Sequence, residues 1–254
     1  RVYDAVIDWG MLGRIFLFAL AIMVLISLVG MAATRFLKLP HSRRMAFSNS
    51  LLFFNSGNYG LPLVDLAFHG NPLAVTGHLM NMLIQNITGN SLGVFQAGHG
   101  SGNARQALKR TFSMPTLYVM VLVFAIKAIG ITVPEPLLVP IRQVANGFVG
   151  FALFTLGASL PGIVGTIKPR DSLISSAIRL ALAPALGLLL LPAFGFSGVL
   201  AQSLIIGLAT PTAINTIIIA REMENEPDYM AQLVFVSTVL SPLTLTAWLL
   251  FLRA

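Results

Sequence analysis

Long apolar runs, separated by proline, glycine and charged residues, dominate the pattern along this chain. The charge-free windows are 15–34, 45–64, 66–104, 143–167, 180–220 and 229–252. A helix that crosses a bilayer needs roughly 20 apolar residues, because about 30 Å of hydrocarbon must be spanned at 1.5 Å per residue. The runs are far longer than the ~10-residue alternating strands of a membrane barrel, so the pattern predicts an all-α polytopic membrane protein.

The runs divide into eight predicted membrane segments, two of them interrupted. They lie near residues 11–34, 43–68 (interrupted), 72–98, 114–132, 136–160, 172–195, 198–221 (interrupted) and 227–252. Prolines fall between the runs, for example Pro40, Pro134 and Pro169, as is typical of loops. The windows 66–104 and 180–220 are too long for one crossing, so each must contain a turn.

Composition agrees with this picture and excludes several classes of function. Of the 254 residues, 56% are hydrophobic and 10% are charged. A soluble domain has about 25% charged residues, so a soluble enzyme and a nucleic-acid-binding domain are excluded. The chain has no cysteine, and it therefore has neither disulfides nor thiolate chemistry.

The net charge of +7 is explained by basic loops rather than by a nucleic-acid partner. Ten lysines and arginines fall in one set of loops, at 35–44, 105–110, 168–170 and 221. Five fall on the opposite side, at Arg1, Arg14, Lys127, Arg142 and Arg253. Because basic loops remain in the cytoplasm, we expect the first set to be cytoplasmic and both ends of this chain to lie outside.

A shift of the sequence by 155 residues indicates an internal repeat. Pro72 then coincides with Pro227, and the interruption at 55–62 coincides with 210–217. The segments 11–34 and 172–195 then correspond as well, within a few residues. In the predicted topology the paired segments cross in opposite directions, which is the pattern of an inverted repeat. The two segments at 114–132 and 136–160 have no partner, so a five-plus-five unit predicts two further helices ahead of Arg1.

This repeat predicts the domain organisation. Residues 1–98 form the first inverted repeat, with three of its five helices. Residues 99–113 form a cytoplasmic connecting loop, and residues 114–254 form the second repeat with all five helices.

Both interrupted segments carry residues that are incompatible with a continuous helix facing lipid. The first contains two asparagines, two glycines and Pro62 within eight residues, and the second contains Pro211 between two threonines. Each proline removes an N–H and conflicts with the carbonyl four residues earlier, so we expect each helix to break near the bilayer midplane. Irregular backbone at that depth survives only where protein or a water-filled cavity covers it.

Each break exposes the positive N-terminal end of a second half-helix, and in an inverted repeat the two ends converge. Such a point suits a carboxylate or a similar anion. The candidate substrate-binding residues are Asn55, Ser56, Gly57, Asn58, Tyr59, Thr210, Thr212 and Asn215. We call the point where the two interrupted segments meet the crossover. Gly60, Pro62 and Pro211 are candidates for shaping its backbone. The alternative is a pair of proline kinks that serine and threonine stabilise without any ligand.

Other polar residues are weaker candidates. Asp65 has two interpretations. It relays a proton or holds a cation, or it is simply a hydrated acid near the outer end of its membrane segment. The segment 72–98 carries a polar face that either makes interhelical hydrogen bonds or lines the substrate path, with Asn81 and Gln85 as its candidate path residues. This face comprises His78, Asn81, Gln85, Asn86, Thr88 and Asn90. We expect Arg179 to extend to the cytoplasmic surface.

No residue pattern indicates catalysis, a metal site or a cofactor. The stretch around Ser159 lacks the second glycine of a nucleophile elbow, and His41, His69 and His99 lack metal-ligand spacing. The chain is therefore expected not to be an enzyme, and coupling to protons or sodium is the only ion requirement considered.

At this point the residues resemble a known family. The stretch Asn55-Ser-Gly-Asn-Tyr-Gly-Leu-Pro-Leu63 resembles the first crossover of the auxin efflux carrier family, which includes plant PIN carriers and bacterial permeases. Ala209-Thr-Pro-Thr-Ala-Ile-Asn215 is similar to the second crossover, and Ala220-Arg-Glu-Met and Glu226-Pro-Asp to its exit. The likeness covers nearly the whole chain, from the family's third helix to its tenth.

The resemblance implies a ten-helix inverted-repeat fold with scaffold and transport domains that move by an elevator-like mechanism. It implies organic-anion transport, with auxin as the substrate in plants and malonate or other small carboxylates in bacteria. The family's crossover asparagine matches Asn55, and its crossover prolines match Pro62 and Pro211. The short loop around residues 98–113 favours a bacterial-type permease, and hence a bacterial inner membrane. The two absent helices contribute to the family's dimer contact, so a homodimer is a candidate assembly.

The leading hypothesis is a secondary transporter, of the efflux permease type, for a small organic anion such as malonate, another carboxylate or an auxin-like acid. It would work by alternating access around the crossover, with the lipid bilayer as its other partner and no nucleic acid. Two alternatives stay open. One is a sodium-coupled organic-anion symporter of the bile-acid type, and the other is a carrier-like membrane sensor that does not transport.

Overall fold

A computed structural model of the protein describes residues 9–97, 115–130, 133–144 and 169–253, together with the single positions 147 and 154. The backbone of these residues is helical, and the described ranges contain no strand, only one isolated β-bridge. The all-α prediction is therefore confirmed for this part of the chain. The predicted connecting loop 99–113 and most of the predicted segment 136–160 lie outside the described residues.

The first half of the chain forms five helices. They are α1 Trp9–Phe36, α2 His41–Leu52, α3 Leu61–Ala67, α4 Pro72–Thr88 and α5 Val94–Ala97. A π-helical turn, Ser56–Gly60, leads into α3, and a second one, Gly89–Gly93, joins α4 to α5.

The second half contributes six further named helices. They are α6 Pro115–Ile129, α7 Pro169–Ala177, α8 Ala183–Leu190, α9 Gly198–Leu208, α10 Asn215–Glu222 and α11 Pro227–Arg253. The backbone over 135–144 is also helical. A π-helical turn, Ile178–Leu182, joins α7 to α8, and a 3₁₀ turn, Leu191–Phe194, extends α8.

Within the described residues, three helices are long and apolar enough to cross a membrane. These are Gly10–Phe36, Pro169–Phe194 and Pro227–Leu252, and they coincide with three of the eight predicted segments. The predicted segments 43–68 and 198–221 are each divided into shorter helices, so neither contains one helix of spanning length. The length and apolar composition of these three helices indicate an integral membrane protein.

Pro72 and Pro227, which coincide under the shift by 155 residues, are each the first residue of a helix. Proline suits this position, where the backbone N–H has no acceptor within the helix. At the start of α4, Asn71 Oδ1 also accepts hydrogen bonds from the N–H groups of Leu73 (3.0 Å) and Ala74 (3.3 Å). This side-chain cap satisfies two of the first N–H groups.

The helix α1 runs antiparallel to the continuous helix formed by α7 and α8. Near the start of α1, Arg14 Nη1 donates to Phe194 O (3.4 Å), and the rings of Phe18 and Phe194 lie 5.6 Å apart. At the other end, the guanidinium of Arg170 lies 5.9 Å from the ring of Phe36. These two segments are paired in the predicted repeat, and their opposite directions are those an inverted repeat requires.

Three loops that were predicted to share one side of the membrane do meet. Arg43, at the start of α2, forms an ion pair of 3.2 Å with Glu226, which precedes α11. Its guanidinium also lies 5.4 Å from the ring of Tyr229, whose hydroxyl donates to Asp171 at the start of α7 (3.1 Å). The starts of α2, α7 and α11 therefore lie at one end of the helix bundle.

The hydrophobic core lies between α1, α2, α9 and α11. Phe18, Phe47, Leu51 and Leu204 are fully buried in it. The helices α4 and α9 approach closely at Gly77, because Leu200 occupies the place where a side chain of residue 77 would lie. This close packing holds α4 against both interrupted segments, and it places the polar face of α4 beside them.

Candidate functional site

The first interrupted segment breaks at residues 53–55. The helix α2 ends at Leu52, Phe53 is extended (φ −107°, ψ 107°), and helical structure begins again at Ser56. The predicted break at 55–62 is corrected, because Ser56–Gly60 and α3 are helical. The π-helical turn accommodates Pro62: the N–H of Leu61 donates to Ser56 O, so the helix passes through the proline without opening.

The second interrupted segment breaks at residues 209–214. The helix α9 ends at Leu208, and α10 begins at Asn215. The predicted break at 210–217 is therefore one residue late at its start and three residues late at its end. The N–H of Thr210 donates to Gly207 O (3.3 Å), which closes the last turn of α9 before Pro211.

The two breaks lie against each other and pair as a short antiparallel bridge between Phe54 and Thr212. The N–H of Asn55 donates to Pro211 O (2.7 Å), and the N–H of Ala213 donates to Phe53 O (2.8 Å). Backbone groups without partners are costly in a membrane, and here each break supplies acceptors for the other. This pairing brings the two interrupted segments into one crossover.

Side chains satisfy further backbone groups at the crossover. Thr212 Oγ1 donates to Ser50 O (2.9 Å), and the N–H of Thr212 donates to Ser237 Oγ (3.2 Å). Thr210 Oγ1 donates to Gly207 O (2.7 Å). Both threonines are completely buried. Their hydroxyl protons therefore stabilise the backbone, as in the alternative of proline kinks that serine and threonine stabilise without a ligand.

Arg179 is buried in the crossover, and the expectation that it extends to the surface is wrong. Its side chain is 1% exposed. Its Nε donates to Thr210 O (3.2 Å), its Nη1 donates to Leu51 O (2.8 Å), and its Nη2 donates to Leu208 O. The guanidinium also lies 4.7 Å from the ring centroid of Phe54. Arg179 therefore joins both breaks.

His78 also lies in the crossover, and the sequence alone did not predict this position. It is completely buried, and its Nε2–H donates to Ser56 O (2.8 Å). Its ring is enclosed by two glycines, one from each interrupted segment: a Cβ at Gly60 would lie 2.7 Å from His78 Cε1, and one at Gly207 would lie 2.7 Å from His78 Nδ1. The signal in the sequence was the presence of these glycines in both segments.

Each interrupted segment continues as a helix after its break, and a cavity of about 40 Å³ lies where these two helices begin. Ser56 starts the helix that continues into α3, and Asn215 starts α10; both line the cavity. Gln85 of α4 lines it as well, and its Oε1 accepts a hydrogen bond from the N–H of Phe54 (3.4 Å). The full lining is Phe53, Phe54, Ser56, Gln85, Asn86, Gly89, Ala213, Asn215, Thr216 and Ile219. The volume suffices for a few waters or for a small anionic group.

The remaining first-segment candidates lie in different places. Asn55 is 5% exposed, and its Nδ2 has no hydrogen-bond partner among the described residues. Asn58 is exposed and Gly57 is half-buried. Of the first-segment candidates only Ser56 lines the cavity, and Asn55, Gly57, Asn58 and Tyr59 do not. The hydroxyl of Tyr59 accepts a hydrogen bond from Ser241 Oγ (3.0 Å), which ties this segment to α11.

Of the candidate path residues, Asp65 is half-buried in α3 and does not line the cavity. Asn81 is 1% exposed, and its Nδ2 has no partner within the described part of the chain. His78, Asn81 and Gln85 follow each other at intervals of three and four residues, so they share the face of α4 that contacts the crossover. The prediction that this polar face points into the protein is confirmed for these three residues; Asn86 and Thr88 are half-buried.

A family model described as membrane transport protein, the domain of the auxin efflux carrier family, matches residues 103–249. The match covers α6 to α10 and most of α11, and it includes the second break and Arg179. The first break and α4 lie outside it, and the structure joins them to the matched part through the crossover. None of the curated proteins matches the chain.

Proposed function

We propose that this chain, which belongs to the membrane transport protein family of auxin efflux carriers, transports a small organic anion. Transport would proceed by alternating access around the crossover. Malonate, another small carboxylate and an auxin-like acid are the candidate substrates. The crossover would form the binding site, and the surrounding helices would carry it between the two faces of the membrane.

The observation that supports this proposal most strongly is the position of the cavity. Two helices begin at its walls, one at Ser56 and one at Asn215. A helix N-terminus carries roughly half a positive charge and has N–H groups without helical acceptors. Two such ends at one cavity favour a negatively charged group over a neutral or a positively charged one.

Neutral polar side chains complete the proposed site. Gln85 lines the cavity, and its amide nitrogen is a donor that its contact with Phe54 N–H does not use. Asn55 precedes Ser56 directly, is buried, and has an amide nitrogen with no partner among the described residues. A buried donor without an acceptor is costly, so a ligand oxygen at this nitrogen would stabilise the site.

We extend the proposal to the architecture of the whole protein. The antiparallel relation of α1 to the α7–α8 helix and the pairing of the two breaks support an inverted repeat. The common end of α2, α7 and α11 carries the basic loops, and we assign it to the cytoplasmic side of a bacterial inner membrane. Coupling to protons or sodium, with Asp65 as a candidate, and assembly as a homodimer belong to the same proposal.

Uptake of labelled malonate and labelled indole-acetate into proteoliposomes tests the function, with and without a proton gradient across the membrane. We expect saturable uptake of at least one of the two anions, and acceleration by the gradient if protons are coupled. Uptake of neither anion above the level of empty liposomes, under either condition, would contradict the proposal.

The variant Asn55→Ala tests the site, and Asn58→Ala is its matched control from the same turn. Asn55 is buried and Asn58 is exposed, so only the first change removes a buried donor, at the residue that precedes Ser56 of the cavity wall. We expect Asn55→Ala to weaken binding of the transported anion by about tenfold or more, as for a hydrogen bond to a charged group, while Asn58→Ala retains native affinity. Equal affinities of the two variants would count against the site.

A further inference from the structure

Arg179 is the one buried guanidinium in the described part of the chain, and a π-helical turn directs it inward. The turn Ile178–Leu182 interrupts the helix formed by α7 and α8. Such turns widen a helix locally and change the direction of the side chains they carry. Trp248 of α11 donates from Nε1 to Leu180 O (2.9 Å), which satisfies a carbonyl within this turn.

All of the acceptors of Arg179 are backbone carbonyls at the ends of helices. Leu51 O belongs to the last turn of α2, while Leu208 O and Thr210 O lie at the end of α9 and just beyond it. No carboxylate in the described ranges forms an ion pair with this guanidinium. An ionised side chain inside the membrane is expensive unless it has a partner or a function, and here the partners are two helix C-termini.

The charges at the crossover can be summed from its parts. Each break presents one helix C-terminus, which carries about half a negative charge, and one helix N-terminus, which carries about half a positive charge. The four ends together therefore amount to about zero. The guanidinium adds one positive charge at the two C-termini and neutralises them. The N-termini at Ser56 and Asn215 are then left with a surplus of about one positive charge.

We infer that Arg179 is the residue that sets the charge selectivity of the crossover, and that the site it creates takes one net negative charge. The inference rests on the proposed anion site and deepens it. The substrate class is a monoanion, either a monocarboxylate or a dicarboxylate that carries one proton. Arg179 acts without touching the anion, because three of its five N–H donors are directed at carbonyls and the residue does not line the cavity.

Phe54 connects this charge to the cavity. Its ring lies 4.7 Å from the guanidinium, and the same residue lines the cavity. Both residues are buried, and charges in a buried environment of low dielectric constant are weakly screened. Arg179 is thus a positioning residue for charge, and the direct contacts come from Gln85 and the helix starts at the cavity wall, with the amide nitrogen of Asn55 next to them in sequence.

The test compares matched ligands that differ in charge. Binding of indole-acetate and of indole-acetamide is measured on the purified intact protein and on the variants Arg179→Met and Arg179→Lys. A unit charge at roughly 10 Å and an effective dielectric constant near 20 changes an affinity on the order of tenfold. We expect Arg179→Met to lower the acetate-to-acetamide affinity ratio by about tenfold or more, and Arg179→Lys, which keeps the charge, to preserve it within about threefold.

A second comparison uses the unmodified protein, in case Arg179→Met does not fold. We expect monomethyl malonate, a monoanion, to bind at least as tightly as fully ionised malonate. An unchanged affinity ratio in a folded Arg179→Met protein, or a tenfold preference for the dianion, would overturn the inference while leaving an anion site in place. Failure of all four ligands to bind the native protein would overturn the proposed function, and this inference with it.

Discussion

The imidazole of His78 lies between the two interrupted segments with almost no free space, and substitution of Gly60 tests this packing. In Gly60→Ala the new Cβ would lie 2.7 Å from His78 Cε1, 2.8 Å from His78 Nε2 and 3.3 Å from Thr210 Cγ2. Carbon atoms at van der Waals contact are about 3.5–4.0 Å apart. The ring must therefore move, and on its Nδ1 side Gly207 limits that movement.

The expected cost follows from two effects. Overpacking of a buried site costs about 1–3 kcal/mol, and displacement of the ring from Ser56 O leaves a buried donor and a buried acceptor unsatisfied, which costs about 1–3 kcal/mol. Alanine in a helix is favoured over glycine by about 0.5–1 kcal/mol, which offsets part of the loss. We expect Gly60→Ala to lower the free energy of unfolding by about 2–4 kcal/mol in total.

The assay is denaturant unfolding in mixed micelles, followed by circular dichroism, with Gly57→Ala as the matched control. A Cβ at Gly57 would lie 3.8 Å from Met82 Sδ, an ordinary contact, so this variant should match or slightly exceed native stability. In a His78→Ala background, Gly60→Ala should cost less than about 1 kcal/mol, because the clash is gone. Equal losses for the two glycine variants, or the same cost with and without the imidazole, would refute the reasoning.

Two further variants test the crossover and the charged end of the bundle. Thr212→Val removes the hydrogen bond from a fully buried hydroxyl to Ser50 O, and should lower the free energy of unfolding by about 1–2 kcal/mol; Thr246→Val, at an exposed hydroxyl, should change it by less than about 0.5 kcal/mol. Glu226→Gln breaks the ion pair with Arg43, whose side chains are 29% and 27% exposed. Water screens such a pair, so the loss should stay below about 1 kcal/mol and decrease with added salt.

Local residue chemistry was sufficient to predict which two segments are interrupted. Clusters of asparagine, glycine and proline cannot continue a lipid-facing helix, and both clusters contain or adjoin a break in the structure. The exact positions were not predictable from the prolines alone. Pro62 predicts a break at its own position, whereas the π-helical turn before it keeps the helix continuous and the break falls at 53–55.

The role of Arg179 could not be predicted from periodicity. A regular helix of 3.6 residues per turn and a flexible basic side chain favour an extended path to the surface. The inward direction depends on a π-helical turn and on carbonyls from Leu51 and Leu208, which are distant in sequence. Only the pairing of the two breaks brings those acceptors together.

The role of the threonines could not be predicted from the sequence either, although here a ligand-binding role was predicted and a structural one is found. Thr210 and Thr212 were predicted as donors for a ligand, because hydroxyls beside a broken helix suit that role. In the structure their protons are bonded to the carbonyls of Gly207 and Ser50. A sequence cannot distinguish a hydroxyl that repairs the backbone from one that binds a ligand, since both occur next to an interruption.

In the mechanism that we propose, an organic anion binds where the helices starting at Ser56 and Asn215 meet. Anomalous diffraction from crystals grown with 5-bromoindole-3-acetate tests it most directly, because bromine marks the ligand and its carboxylate can then be placed in the density. The claim predicts a bromine peak beside the crossover, with the carboxylate directed at these two helix starts and within hydrogen-bond distance of Asn55 or Gln85. A fully occupied peak elsewhere, with an empty crossover at saturating ligand, would contradict it.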